Sequence, residues 1–255
     1  MALRFASLGS GSRGNGLLVE AGGSRLLLDC GFTPRDCERR LARLGLAPAD
    51  LAGIVVTHEH DDHVGDALPF AVRHGLRVWM THGTWRAVGG AAPPAHVTLI
   101  DSHDIFAVGD LCVQPFPVPH DAREPVQFVF SVGASRLGVL TDIGTPTRHV
   151  GEVLSACDAL VLECNHDREM LAGGPYPGWL KERIGGPFGH LANDAAAELI
   201  KMLDVRRLRH VVAAHLSESN NTPALARAAL AEALGCAVEW IGVASQDAGF
   251  DWRSL

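Results

Sequence analysis

The sequence predicts an α/β protein built as a four-layer sandwich, in which two mixed β-sheets are flanked by helices. Three observations lead to this fold class. Short apolar runs alternate with helix-like stretches in the first third, strand-like runs separated by turn signals fill the middle, and strand-helix alternation returns from residue 147. Two mixed sheets covered by helices on their outer faces satisfy all three observations.

The elements follow from local patterns in chain order. In the first third, apolar runs predict strands over 17–21, 25–30, 52–58 and 76–82, and helical periodicity predicts helices over 33–45 and 63–75. In the middle, three runs with little helix between them predict antiparallel strands over 110–120, 126–134 and 135–142. The last part predicts strands over 158–165 and 208–215 and helices over 191–204 and 222–235. Thr222 is the expected N-cap of the final helix, with Pro223 at its first position.

Composition limits the class of protein. The 255 residues are 47% hydrophobic, which is ample for a buried core, and the absence of repeats or linkers predicts a single domain over 1–255. The formal charge of -7 argues against a broad basic nucleic-acid surface, although bound cations could make one cleft attractive to phosphate. The six cysteines form no CxxC pair and favour reduced thiols. No signal-like or membrane-length apolar run is found, so we expect a cytoplasmic protein without a membrane partner.

Six consecutive ionisable residues, His58 to His63 in "IVVTHEHDDHVG", directly follow an apolar strand. Extended backbone directs His58 and His60 the same way, while Asp62 and His63 at the start of a helix can face back towards them. Imidazole and carboxylate groups suit zinc, manganese or iron, and a site with an open position is catalytic. The alternative is a solvated charged loop.

Three further polar residues follow apolar strands. His120 ends "VQPFPVPH", Asp142 ends "LGVLTD" and His215 ends "HVVAAH". Each alone could simply finish a strand, but loops at strand ends are where a sheet presents chemistry. Together with the histidine cluster they give five histidines and two aspartates, enough for two metal ions. Six further histidines, at 74, 82, 96, 103, 149 and 210, have no comparable context.

The HxHxDH block followed by His, Asp and His at strand ends resembles the metallo-β-lactamase fold of binuclear metal hydrolases, and the match covers nearly the whole chain. The motifs "SGSRGN", "PVPHDA", "ECNHDREML", "GHLAN" and "AHLSESNN" resemble more narrowly the YycJ/WalJ-type subgroup, which is related to the nucleases of the superfamily. The resemblance implies that one ion is held by His58, His60 and His120, the other by Asp62, His63 and His215, and that Asp142 bridges them. Zinc is the expected ion, with manganese and iron as alternatives.

The same resemblance narrows the chemistry. Redox members carry a carboxylate where this chain has His60, so hydrolysis is favoured over electron transfer. Many true β-lactamases have a cysteine where this chain has Asp142, which disfavours antibiotic hydrolysis. The stretch from Asp142 to His215 contains ordinary fold elements instead of a large clamp domain, so a long RNA channel is not expected.

The expected mechanism is attack by metal-bound hydroxide on a phosphodiester. Asp61 could accept the proton of the water, orient a ligand histidine, or simply be solvated. A leaving alkoxide also needs a proton. By similarity to transfer-RNA 3′-processing endonucleases of the superfamily we assign that role to His190, in the glycine-bordered loop "GGPFGHLAND". Its alternative is a helix cap or a surface histidine.

Two further stretches are candidate substrate contacts. The loop "SLGSGSRGNG" could wrap a phosphate with its backbone N–H groups, with Ser12, Arg13 and Asn15 as contacts, or it could be only a turn. Asn165 and His166, with Asp167, could contact substrate, orient His190 or form a turn.

The sequence therefore predicts a cytoplasmic binuclear metal-dependent phosphodiesterase that acts on nucleic acid, with DNA, especially its ends, as the expected substrate. A small-molecule hydrolase of the same fold, acting on a cyclic or other small phosphodiester or on a thioester, is the nearest alternative. A non-catalytic regulatory module is disfavoured because it need not retain a full ligand set. Oligomeric state is not indicated by the sequence.

Overall fold

Fourteen strands form two mixed sheets in the computed structural model, which describes residues 2–255. The first sheet contains β1 (Leu3–Gly9), β2 (Gly16–Ala21), β3 (Ser24–Leu28), β4 (Gly53–Val55), β5 (Arg77–Thr81), β6 (Val97–Ile100) and β14 (Phe250–Ser254). The second contains β7 (Phe106–Val108), β8 (Leu111–Pro117), β9 (Val126–Val132), β10 (Ser135–Leu140), β11 (Ala159–Glu163), β12 (His210–Ala214) and β13 (Gly242–Val243).

The two sheets each contain seven strands and share the same type of strand order. The first runs β14-β1-β2-β3-β4-β5-β6 and the second runs β13-β12-β11-β10-β9-β8-β7. In each sheet an antiparallel half joins a parallel half, with β3 to β6 parallel in the first and β10 to β13 parallel in the second. The antiparallel β8-β9-β10 meander confirms the prediction for the middle of the chain.

Eight α-helices within residues 2–255 cover the sheets. They are α1 (Pro34–Arg43), α2 (Ala67–His74), α3 (His82–Val88), α4 (Arg148–Leu154), α5 (Arg168–Gly173), α6 (Gly178–Ile184), α7 (Asn193–Met202) and α8 (Pro223–Leu234). One apolar cluster fills the space between the sheets, a second joins α1, α2 and α3 to the first sheet, and a third joins α4, α7 and α8 to the second. The four-layer α/β sandwich is thereby confirmed.

Helix ends follow the predicted capping chemistry in α8. The hydroxyl of Thr222 accepts the N–H of Leu225, and Gly235 closes the helix in a left-handed conformation with φ of 64°. Among residues 2–255, no helix is both long enough and apolar enough to cross a membrane.

Two predicted boundaries around the histidine cluster are wrong. The strand expected over 52–58 ends at Val55, because the N–H of Thr57 donates to Oδ1 of Asp29, 2.8 Å away, instead of continuing the sheet. The helix expected over 63–75 begins at Ala67, because the N–H groups of His63 and Val64 both donate to the carbonyl oxygen of His60 in a tight turn. Asp62 and His63 therefore lie in a turn before the helix.

Several elements have no predicted counterpart. These are β1, β6, β7, β13 and β14 at or near the sheet edges and the short helices α3 to α6. Short elements with mixed composition carry little periodicity, so their sequences resemble loops. Helix α6 is the one among them that bears on function, because it borders the cleft described below.

Candidate metal centre

The predicted site residues lie in loops at one edge of the two sheets. The parallel strands β3 and β4 of one sheet and β10, β11 and β12 of the other all end at this edge, and β8 ends there because it runs in the direction of β10. The loops that follow these strands carry the histidine cluster, His120, Asp142 and His215. The topology brings together residues that are up to 157 positions apart in the sequence, from His58 to His215.

His58, His60 and His120 form one group with converging ring nitrogens. Nδ1 of His60 lies 3.0 Å from Nε2 of His58 and 3.2 Å from Nε2 of His120. The outer nitrogens are occupied, since Nδ1 of His58 contacts the hydroxyl of Thr57 at 2.9 Å and Nδ1 of His120 contacts the carbonyl oxygen of Gly189 at 3.0 Å. This arrangement turns the Nε2 atoms of His58 and His120 towards a common point, as in histidines that ligate a metal.

Asp62, His63 and His215 form a second group. Oδ2 of Asp62 lies 3.2 Å from Nε2 of His215 and 3.7 Å from Nε2 of His63. Nδ1 of His63 contacts Oδ2 of the buried Asp29 at 2.8 Å, and the amide nitrogen of Asn15 lies 3.1 Å from its Nε2. Again the outer nitrogen of a clustered histidine is held by an oxygen, so its Nε2 faces the group.

Asp142 lies between the two groups. Its Oδ2 is 2.5 Å from Nε2 of His63, and its Oδ1 is 2.9 Å from Nδ1 of His215. Together with His58 and His63 it forms a further set of converging donor atoms. Oδ2 is buried and makes no hydrogen bond of acceptable geometry despite the closeness of His63. A carboxylate oxygen and an imidazole nitrogen this close to each other, with no hydrogen bond between them, fit two ligands of one shared cation.

Backbone strain is concentrated at this cluster. Among the described residues, four non-glycine residues have φ near +60°, and three of them are Asp29, Asp142 and His215, at 61°, 62° and 54°. The left-handed region is unfavourable for residues with a side chain, and such strain is typical of functional sites. Asp29 directly follows β3, and Asp142 lies two residues after the end of β10. The unusual φ turns their carboxylates towards the histidines.

A glycine permits the close approach of two of these loops. A Cβ atom on Gly31 would lie 1.9 Å from the carbonyl oxygen of Asp62. A backbone hydrogen bond from Cys30 to His63 joins the same two loops, and one from Asn15 to Asp62 ties in the loop between β1 and β2. A side chain at position 31 would therefore push the turn that carries Asp62 and His63 away from Asp29.

The buried surroundings of His58 and His120 favour the neutral form of their imidazoles. Burial lowers the pKa of His58 well below its usual value, and burial also lowers the pKa of His120. Burial would raise the pKa of Asp142, but the charges on His215 and His63 hold it well below its ordinary range. Neutral imidazole and ionised carboxylate are the protonation states in which these groups bind metals.

Glu163 is a site residue that the sequence analysis missed. It is fully buried at the end of β11, and its Oε1 lies 2.8 Å from Nδ1 of His190 and 3.3 Å from Nδ1 of His215. Its Oε2 accepts the N–H groups of Ile143 and Leu191. A buried carboxylate with four such neighbours holds the loops of Asp142, His190 and His215 in one arrangement.

His190 lies next to this carboxylate and next to the metal-ligand candidates. Its Nδ1 is also 3.0 Å from Oδ1 of Asp142, and its side chain remains 24% exposed to the cleft. Burial alone would lower the pKa of His190, but the negative charges of Glu163 and Asp142 raise it to about 9. A protonated imidazole whose Nδ1 is occupied has its Nε2 free to donate a proton.

Asp61 and Ser12 lie on the wall of the cleft, where a substrate can reach them. Asp61 is exposed, and the carboxylate that contacts a clustered histidine from behind is Asp29. The orienting role considered for Asp61 is therefore filled by Asp29 at His63.

Two predicted phosphate contacts are engaged elsewhere. The guanidinium of Arg13 forms ion pairs with Glu218 at 2.8 Å and Asp247 at 3.1 Å, so its charge is already compensated. Asn15 is buried and bonds to Asp62 and Ser10, so it supports the cluster and is not part of the cleft wall. The glycine-rich loop therefore contributes Ser12 alone of these three to the cleft.

Asn165 and His166 also lie away from the cleft, contrary to the expectation that they contact substrate. Both are buried, at 4% and 1% exposure, and neither lines the cleft. The amide of Asn165 donates to the carbonyl oxygen of His215, and the backbone at His166 bridges to Ala192. Asp167 caps α5 by accepting the N–H of Met170, which is the turn-forming role considered for it.

The cleft above the cluster has a volume of about 380 Å³. Its walls include four carboxylates and one guanidinium, from Asp61, Asp62, Asp121, Asp142 and Arg183. Helix α6 and the residues around it form one side, including Tyr176, Leu180 and Ile184. The protein groups alone would repel a phosphodiester, and divalent cations at the cluster would reverse that charge.

Comparisons with known proteins agree with this architecture. The sequence profile of the β-lactamase superfamily domain matches residues 24–215. Exodeoxyribonuclease YycJ of Bacillus anthracis is 35% identical over 237 residues, covering 92% of this chain and 90% of that protein. Exodeoxyribonuclease WalJ of Streptococcus pneumoniae is 30% identical over 249 residues, covering 95% and 92%.

A solved structure shares the whole fold. The metallo-β-lactamase fold protein YhfI from Bacillus subtilis superposes with a TM-score of 0.77 and 16% identity, covering 100% of this chain and 99% of that one. At this identity the likeness concerns the fold alone.

Proposed function

This chain belongs to the β-lactamase superfamily and is a hydrolase of the metallo-β-lactamase fold, and we propose on that premise that it is a binuclear metal-dependent phosphodiesterase that degrades DNA from its ends. Two relatives at 35% and 30% identity over nine-tenths of the chain are named exodeoxyribonucleases, which supports a nuclease. The resemblance of the sequence motifs points to the same subgroup.

The observation that carries the proposal is the position of Asp142 between two groups of donor atoms. We assign one cation to His58, His60 and His120, the other to Asp62, His63 and His215, and a shared role to Asp142. Imidazole nitrogen and carboxylate oxygen suit zinc, while manganese and iron use the same donors. Divalent cations held there would lower the pKa of a water and stabilise negative charge on the phosphoryl oxygens.

The proton for the leaving group is assigned to His190. Its pKa is raised to about 9 by Glu163 and Asp142 against the effect of burial, so the ring carries the proton at neutral pH. Glu163 fixes Nδ1, which leaves Nε2 as the nitrogen that would donate to the substrate oxygen. We assign acceptance of the attacking water's proton to Asp61, which is exposed and lines the cleft.

The experiment that tests the proposal is a substrate panel on protein of measured metal content. It comprises 5′- and 3′-labelled single- and double-stranded DNA and RNA, a cyclic phosphodiester and a thioester. We expect DNA shortened progressively from an end to be the best substrate. Preferred turnover of the cyclic phosphodiester or the thioester would replace the proposal with a small-molecule hydrolase.

Two matched histidine variants distinguish the loss of a proposed metal ligand from the general effect of replacing a histidine. His60→Ala removes a proposed ligand and is expected to lower DNA turnover at least about 100-fold. His74→Ala removes a half-buried histidine that contacts Glu38 at 3.0 Å, outside the cluster, and is expected to leave turnover near the wild-type value. Equal effects of the two variants would contradict the assignment.

A further inference from the structure

Two large aromatic side chains close in sequence to residues that line the cleft are exposed to water. Trp179 and Phe188 are 66% and 58% exposed, and both belong to residues 174–189, the segment that forms one wall of the cleft. Isolated exposed apolar side chains are common, but two large rings in one short segment beside a polar site are a candidate binding surface. We call Trp179 and Phe188 the aromatic rim.

Trp179 lies on α6 next to residues that line the cleft, although it does not line the cleft itself. Residues four apart share a row on a helix, so Trp179 stands in the row of Arg183, beside the row of Leu180 and Ile184. Arg183, Leu180 and Ile184 all line the cleft. Trp179 therefore adjoins this wall along the helix surface.

Phe188 is attached to the part of the wall that carries the proposed proton donor. Its carbonyl oxygen accepts the N–H of Asp121 at 3.0 Å, and Asp121 lines the cleft. The next two residues, Gly189 and His190, line the cleft as well. The backbone of Phe188 is thus fixed to the site, while its ring remains exposed.

We propose that the aromatic rim stacks the unpaired bases of a single-stranded DNA end, beside the nucleotide whose phosphodiester is cleaved. This inference rests on the proposed nuclease function and adds the strandedness of the substrate. Stacking on aromatic side chains accepts any base and does not require phosphate contacts. It therefore suits a cleft whose walls carry four carboxylates and one guanidinium.

The size of the cleft supports an unpaired end. A volume of about 380 Å³ is in the range of sites for single small molecules. The proposed ligands at its base are buried, with His58 and His63 at 0% exposure and Asp142 at 1%. A base pair at a duplex end would have to open before its phosphodiester reached them, whereas a single strand can enter one nucleotide at a time.

The test compares three variants on single-stranded DNA. Trp179→Ala and Phe188→Ala each remove one ring of the rim, and Trp240→Ala removes an exposed ring outside residues 174–189. Because stacking on one ring corresponds to about 5- to 150-fold in binding, we expect KM for single-stranded DNA to rise by a factor in that range in each rim variant, with kcat little changed. We expect Trp240→Ala to match the wild type.

Abasic substrates show whether the lost contact is to a base. Abasic sites at the second and third nucleotides from the cleaved end are expected to raise KM of the wild type as much as Trp179→Ala does. In the Trp179→Ala variant the same abasic sites are expected to raise KM little further, because the ring that stacks on the base is already gone. Additive effects would overturn the inference.

Other results would also overturn it, and they are distinguishable from failure of the nuclease proposal. Normal KM in both rim variants, with DNA still cleaved, would remove the rim and leave the nuclease. Absence of both DNA cleavage and DNA binding by metal-loaded wild type would remove both. A change of sedimentation coefficient in the rim variants without a change in KM would assign the surface to contact with a second copy of this chain.

Discussion

Nδ1 of His190 lies 2.8 Å from Oε1 of Glu163, a carboxylate with no exposed surface. The same oxygen is 3.3 Å from Nδ1 of His215. One buried charge thereby orients both the proposed proton donor and a proposed metal ligand. Because the charges of Glu163 and Asp142 outweigh the effect of burial and raise the pKa of His190 to about 9, the ring is cationic at neutral pH.

The role of His190 predicts a dependence on the leaving group. A positioned acid contributes about 10²- to 10⁴-fold in rate, and its benefit grows with the basicity of the leaving oxygen. We expect His190→Ala to lose about that factor on DNA, whose leaving group is an alkoxide, and far less on bis(p-nitrophenyl) phosphate, whose phenolate leaves without a proton. Steady-state kinetics on the two substrates measure the difference.

Metal content is the control for that variant. It is expected to stay at the wild-type value, because His190 is outside the proposed ligand set. Equal losses on both esters would indicate substrate positioning or misfolding, and loss of a metal would make His190 a ligand. Either result removes the acid role.

The donor set predicts close to two metal ions per chain, measured by elemental analysis of metal-replete protein. Seven proposed ligands are more than one four-coordinate site can use. His63→Ala and His215→Ala are each expected to weaken the second site, and their effects on activity are expected to be far from additive because the ligands act as a unit. A stoichiometry of zero or one, or mild additive losses, would contradict the binuclear assignment.

One rule, that a polar residue directly after an apolar strand marks the site, predicted most of the cluster from the sequence. It identified His120, Asp142 and His215, and the structure brings all three to the histidine cluster. Applied without exception, the same rule also selects Asp29 after "RLLL" and Glu163 after "ALVL". Both fall inside the predicted strands over 25–30 and 158–165, although an acidic residue in an apolar run is itself the signal.

Other features depend on partners that the sequence does not reveal. Arg13 forms ion pairs with Glu218 and Asp247, more than two hundred positions away, so its engagement could not be inferred from its glycine-rich loop. The wall formed by α6 was missed because its position against the cleft is set by tertiary packing. The four-layer fold itself was predictable because long strands and helices carry strong periodicity.

The contact between Asp29 and His63 predicts a role in metal affinity. Removing a carboxylate that orients a ligand histidine typically costs about 10- to 100-fold in metal affinity. We expect Asp29→Asn to weaken the site of Asp62, His63 and His215 by about this factor, measured by competition with a chelator. Asp251→Asn, at an exposed aspartate, is the control. Unchanged metal affinity in Asp29→Asn would leave the buried contact with no function in metal binding.

Salt dependence tests how many phosphates the protein contacts. Arg13 is neutralised by two carboxylates and Arg183 contacts Asp121 at 2.6 Å, so few cations are free to bind phosphate. For single strands the slope of log K against log salt is about -0.7 per phosphate contacted. We expect a slope equivalent to one or two phosphates, measured by DNA binding at several salt concentrations. A slope equivalent to about 6 to 10 contacts would reveal a basic surface that the net charge hides.

The burial of His166 predicts a loss of stability in acid. Burial lowers the pKa of His166 to about 4, whereas an unfolded histidine titrates near 6.5. The unfolded chain therefore binds more protons between these values, so the contribution of the neutral ring is fully present above about pH 6.5 and is lost as the pH falls towards 4. The difference of about 2.5 pKa units corresponds to about 3 kcal/mol at most.

The measurement is the free energy of unfolding in urea, for metal-free protein at pH 7 and about pH 4.5. In His166→Asn this titration is absent, so the stability of the wild type relative to the variant is expected to fall by about 2 to 3 kcal/mol between the two pH values. His149→Asn, which replaces an exposed histidine, controls for the substitution itself. If the wild type and His166→Asn lose stability in parallel on acidification, His166 is already charged in the folded protein, and its burial does not keep it neutral.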